Sequence, residues 1–275
     1  MAKKKKKKDW DKAKGILLAL LGFVLIAALA GAWYWVNNNQ TKLDVATNCP
    51  VSGPTAIHAI LIDRSDPIAP LQVLQAKQTI ERYVRSAKIG ERFDLFTANG
   101  DAGNVLSAIA SVCNPGRGDQ ANELYQNPQM IQRQFEEKFL KPLEASLQQL
   151  LTSTTADTSP ILESIRAAAV SSFGTVEPRT IPLRLTIISD LVQHTALHSH
   201  FKAEPKFADL AKRSEWRSLQ ANLKGATVDV LYLLREKAKR GNVPIQNQGH
   251  QMFWFKVFEA DGADPKPGGV VITPI

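Results

Sequence analysis

The 275-residue chain is 44% hydrophobic and 22% charged, long enough to bury the core of one large domain or two small ones. Its formal net charge of +8 invites a nucleic-acid role, but residues 3–8 supply six positive charges and Lys12 and Lys14 two more, leaving the remainder close to neutral. A basic field over a folded body is thereby excluded, and no nucleic acid is expected as a partner of the folded domain.

Residues 15–36, GILLALLGFVLIAALAGAWYWV, carry no charge and match the roughly 20 residues that cross a bilayer core. Trp33, Tyr34 and Trp35 close the run like an interfacial aromatic belt, in place of the small residues of a cleavage site. The expectation is an uncleaved, single-pass helix in a bacterial inner membrane, with the lipid bilayer as its partner. The basic tail, residues 1–14, is then cytoplasmic, and everything after Asn37 is periplasmic. Residues 37–54 are polar and read as a linker. The two cysteines, Cys49 and Cys113, fall on the exported side, where one disulfide is permitted; two free thiols are the alternative.

From Thr55 the chain turns apolar and β-branched, then ends abruptly in Asp63, Arg64, Ser65 and Asp66. Such a run predicts a strand buried on both faces. Apolar residues at helical spacing predict a helix over 71–87, stopped at Gly90. Alternation predicts a strand over 91–98, Asn99-Gly100-Asp101 a hairpin turn, and residues 105–113 its antiparallel partner. The glycine-rich residues 114–118 lack a phosphate-loop pattern and read as a plain loop. A long amphipathic helix is expected over 128–151, kinked or divided by Pro142. After a polar loop, 152–159, Pro160 opens another helix with Thr158 or Ser159 as its cap. Residues 183–189 form a second buried strand ending at Asp190, 206–223 a helix, 227–234 a third buried strand, 249–260 an aromatic helix and 269–273 a final strand.

This order predicts an α/β fold: a doubly wound, mostly parallel central sheet with one antiparallel edge strand, preceded by the transmembrane helix. Three polar clusters fall at one end of that sheet: Asp63 with Ser65, Thr158 with Ser159, and Asp190. Their oxygens are hard ligands, suited to Mg²⁺, Mn²⁺ or Ca²⁺ and not to zinc.

The segments ILIDRSDP (60–67), DTSPILESI (157–165) and TIISDL (186–191) give residues 55–275 a resemblance to the von Willebrand factor A domain family. The resemblance implies a VWA/Rossmann-like sheet and a metal-ion-dependent adhesion site for Mg²⁺ or Mn²⁺. Its ligands would be Asp63, Ser65, Thr158 or Ser159, and Asp190. One position departs from the family pattern: Pro67 stands where a second serine oxygen is expected. The implied role is a non-enzymatic protein-binding or scaffold module in an envelope-associated or mobile-element complex, meeting an acidic group of its partner through the cation.

His194, His198 and His200 form a HxxxHxH pattern. With Asp63 and Asp190 they support an alternative, a metal-dependent phosphatase or nuclease, although no acidic residue accompanies them in the HExxH manner.

Overall fold

The computed structural model describes residues 2–39, 43–45, 47–98, 108–122, 126–151 and 156–275. They form two units, one ending at Lys42 and one spanning Leu43–Ile275. The first is a single helix, α1 (Ala2–Asn39). Its Lys14–Trp35 stretch of 22 residues is apolar on every side, with none of it buried. It is long and apolar enough to span a membrane, a property that a signal sequence shares.

In the second unit β1 (Ala56–Asp63) is buried at every position. α2 (Pro70–Ser86) follows, with Ala76, Ile80 and Val84 on its buried stripe. β2 (Glu91–Ala98) then lies parallel to β1, and β3 (Ala110–Cys113) pairs antiparallel to β2. The predicted turn at 99–101 and residues 105–107 of the predicted partner strand lie outside the described residues.

Next comes α3 (Pro128–Phe135), capped by the Asn127 side chain, which accepts from the amides of Gln129 and Met130. It runs through a π-helical turn, Glu136–Leu140, into α4 (Lys141–Leu150). The interruption predicted at Pro142 is thus a widened turn just before it. Proline has no N–H for the carbonyl one turn back, Lys138, and that carbonyl accepts from Asn48 Nδ2 at 3.4 Å.

α5 (Ile161–Phe173) leads to β4 (Leu183–Ser189). The helix predicted over 206–223 is instead two single turns, α6 (Phe207–Leu210) and α7 (Trp216–Leu219). Leu210 and Trp216 are both buried. Six residues apart, they would point about 120° away from each other on one continuous helix, so the chain breaks between them to bury both. β5 (Thr227–Tyr232), a two-residue-per-strand hairpin of β6 (Lys239–Arg240) and β7 (Val243–Pro244), α8 (Gln248–Ala260) and β8 (Val270–Pro274) complete the unit.

The six-stranded sheet has the order β3-β2-β1-β4-β5-β8, with every neighbouring pair parallel except β2 with β3. Alternation along β1 divides the core. Ile57, Ala59 and Leu61 pack with α5, α7 and α8, while Ile60 and Ile62 pack with α2, α3 and α4. Each such buried isoleucine or leucine contributes roughly 1.5–3 kcal/mol.

Cys49 and Cys113 are bonded, with Cα atoms 4.7 Å apart. Together with the Cys113 amide, which donates to the Thr47 carbonyl at 2.8 Å, the bond fastens the described residues of 43–54 to the end of β3. That part of the predicted linker therefore packs as part of the folded unit.

Candidate binding site at the carboxyl edge of the sheet

β1 and β4 are neighbours, yet the chain leaves β1 towards β2 on one side and β4 towards β5 on the other. Their carboxyl ends therefore flank a crevice, the place where open α/β sheets receive ligands. Asp63 is the last residue of β1, and Asp190 follows the last residue of β4.

Asp63 is 4% exposed. Its Oδ1 accepts from the Ser65 amide at 2.9 Å and from Ser65 Oγ at 2.7 Å, and its Oδ2 accepts from Ser189 Oγ at 2.8 Å. Burial raises its pKa, these hydrogen bonds oppose the rise, and the charge of Asp66 adds to it. Ser65 Oγ lies 3.2 Å from Ser159 Oγ, which joins the loop before α5 to the end of β1.

Asp190 is 2% exposed. Its Oδ1 accepts from the Val192 amide at 2.8 Å, and Arg235 Nε lies 3.4 Å from its Oδ2. Burial, followed by the charge of Asp63, pushes its pKa up to about 7 against the pull of the Val192 amide and Arg235. Leu191, with φ of 56°, turns the chain sharply after it. A left-handed leucine is strained, and hydrogen bonds to its backbone hold it. Its amide donates to Ser189 Oγ at 2.7 Å, and its carbonyl accepts from Trp254 Nε1 at 2.9 Å and faces His250 Nε2 at 3.1 Å.

Above these residues opens a cavity of about 1100 Å³. Ser65, Ser159, Asp190 and His194 line it with Thr158, which is exposed at the rim, and with Phe201, Leu234 and Arg235. Of the residues expected to share a site, Asp63, Ser65, Ser159 and Asp190 come together, while Thr158 borders the cavity.

Neither Thr158 nor Ser159 caps α5 through its side chain. The Leu162 amide donates instead to Gln193 Oε1 at 3.0 Å, so a side chain from the loop after β4 performs the capping. Ser159 is held by paired backbone bonds to His194, each 2.9 Å long.

Of the three loop histidines, His194 parts from the other two, whose ring centres lie 5.1 Å apart. His194 lines the cavity, its Nδ1 2.9 Å from Ser199 Oγ. His198 stacks on Phe253 with ring centres 5.6 Å apart. His200 is fully buried, its Nδ1 3.0 Å from His250 Nε2, and His250 Nδ1 lies 2.6 Å from Tyr232 Oη. Burial lowers the pKa of His198 and of His250 to about 4 and holds that of His200 well below its usual value. These rings support the turn after Asp190. Among the described residues no group of three or more His, Cys, Asp or Glu is placed to hold a metal ion.

Three residues escaped the sequence pattern: Ser189, Arg235 and Gln246. Arg235 was open to discovery, since it follows the third buried strand as Asp63 and Asp190 follow the first two. Its Nη1 donates to the Pro67 carbonyl, and its amide donates to Gln246 Oε1 at 2.7 Å. Gln246 Nε2 in turn donates to the carbonyls of Asp190, at 3.0 Å, and Leu233, at 2.9 Å.

The set as it stands does not fit a resident divalent cation. Mg²⁺ asks for about six oxygens in near-octahedral array. Here both Asp63 oxygens accept protein hydrogen bonds, Pro67 offers only a carbonyl already bound by Arg235, and the guanidinium stands at Asp190.

The chain matches no family model and no curated protein.

Proposed function

We propose that the chain is a membrane-anchored, non-enzymatic binding module of von Willebrand factor A-like architecture, holding a protein partner within an envelope-associated or mobile-element complex. The observation that carries this reading is the cavity at the switch point between β1 and β4. It is large and open, and it joins an apolar lining to a few fixed polar groups, the usual make-up of a binding site.

The test places a photo-crosslinking amino acid at Leu234 or Phe201, both exposed at the cavity, in the full chain within cells. Adducts with one protein are expected at these positions, and none at exposed Met130 on α3. Equal labelling at all three positions, or none, would sink the reading.

One observation favours a second reading, a hydrolase. A buried carboxyl with a pKa of about 7, as at Asp190, is poised for acid–base work. Phosphatase or nuclease activity of the purified chain, lost on Asp190→Asn, would establish it.

A further inference from the structure

Arg235 is too firmly held to be an incidental surface charge. Its Nε faces Asp190 Oδ2 at 3.4 Å, its Nη1 donates to the Pro67 carbonyl, and its backbone is clamped by Gln246, which also grips the Asp190 carbonyl. Its side chain is 17% exposed and that of Asp190 3%. The guanidinium is therefore built into the floor of the cavity, at the point where Pro67 withholds a side-chain oxygen.

With Arg235 committed to Asp190, the remaining charged side chains lining the cavity are Asp66, Asp157 and Glu236 against Lys237. The three carboxylates are exposed, and none forms an ion pair among the described residues. The rim is therefore acidic. Between rim and floor lie apolar groups, among them Ile68, Val192, Phe201 and Leu234. An acid rim repels a partner's carboxylate and attracts an ammonium or guanidinium, whose apolar neighbours the lining would cover.

We propose that Arg235 is the resident cation of this site, so that the cavity works without a divalent metal and takes a basic side chain flanked by apolar residues from a partner protein. The inference rests on the cavity being a protein-binding site, and it reverses the sign of the partner group that a metal-bearing site would select.

The test uses the full chain in lipid nanodiscs, with Mn²⁺ and two fluorescein-labelled peptides as probes: Leu-Leu-Lys-Leu-Leu and its glutamate counterpart. By Mn²⁺ resonance spectroscopy the wild type should leave the ion free, whereas Arg235→Gln should bind it. By fluorescence anisotropy the lysine peptide should bind at least about tenfold more tightly than the glutamate peptide, unchanged by EDTA and weakened by salt. Asp157→Asn with Glu236→Gln, both exposed and remote from the core, should erase that preference. Mn²⁺ binding by the wild type equal to that of Arg235→Gln overturns the proposal, as does tighter binding of the glutamate peptide or the failure of both peptides to bind. Failure of the protein-binding reading itself shows separately, as absence of cavity-specific crosslinks in cells.

Discussion

Ser189 Oγ donates to Asp63 Oδ2 at 2.8 Å and accepts from the Leu191 amide at 2.7 Å. One hydroxyl thus ties the carboxyl end of β4 to that of β1 and helps hold the left-handed turn that follows Asp190.

Ser189→Ala removes a hydrogen bond to a buried carboxylate and leaves the Leu191 amide without its acceptor. Unfolding by denaturant, followed by tryptophan fluorescence of the full chain in detergent, should show a loss of about 2 kcal/mol. Gln78→Ala, on the exposed side of α2, serves as the comparison and should change stability by less than about 0.5 kcal/mol. Equal effects at both positions would remove Ser189 from the framework of the site.

The pH profile of stability combines two opposed groups. His58, His198 and His250 have folded pKa values lowered to about 3, 4 and 4 by burial. Their contribution is present above their unfolded value and is lost as pH falls through the folded ones. Asp190 and Asp261 have folded values raised to about 7 and about 8, chiefly by burial. Theirs is present below the unfolded value and is lost as pH rises through the folded ones. Below pH 6.5, the ordinary value for histidine, the two groups oppose each other. Above it only the aspartates contribute a slope, so stability should fall between pH 6.5 and pH 8, on the order of 2 kcal/mol. Denaturant midpoints across that range check it, and Asp261→Asn should flatten the decline. Rising stability over the range would contradict the assignment.

Reduction of the Cys49–Cys113 bond opens a loop of 64 residues in sequence separation. The cost should be about 2–4 kcal/mol, read as a lowered melting temperature on adding a phosphine reductant. Cys113→Ser should melt where the reduced wild type does, and an unchanged melting point on reduction would deny the bond a structural role.

Gly90 has φ of 78°, and a Cβ there would stand 3.0 Å from Pro50 Cγ and from Thr55 Cγ2. Gly90→Ala should therefore cost about 1–3 kcal/mol through the disfavoured backbone alone, with crowding added. Thermal melts followed by circular dichroism would measure it. A stability equal to wild type would mean that the turn into β2 relaxes freely.

Helices and strands whose partners are themselves apolar were legible in advance. The unbroken apolar run of β1, the i, i+4 stripe of α2 and the polar ends at Asp63 and Asp190 each follow from local periodicity, because burying such a pattern leaves few alternatives. The predicted single helix over 206–223 failed because the pattern omitted the six-residue step between Leu210 and Trp216. The cap on α5 comes not from its sequence neighbours Thr158 and Ser159 but from Gln193, on a loop 31 residues from the Leu162 amide that it accepts from.

By itself, then, the sequence determined the alternation of strand and helix, the apolar N-terminal helix and the polar residues that end the central strands, since these depend on composition and period along a single segment. Only the tertiary structure decided that Cys49 reaches Cys113, that His198 and His200 turn into the core while His194 borders the cavity, and that Arg235 reaches across to Asp190. Each of those joins residues from separate segments, whose meeting depends on strand order and loop geometry, and a guanidinium 45 residues from its carboxylate leaves no local periodicity to read.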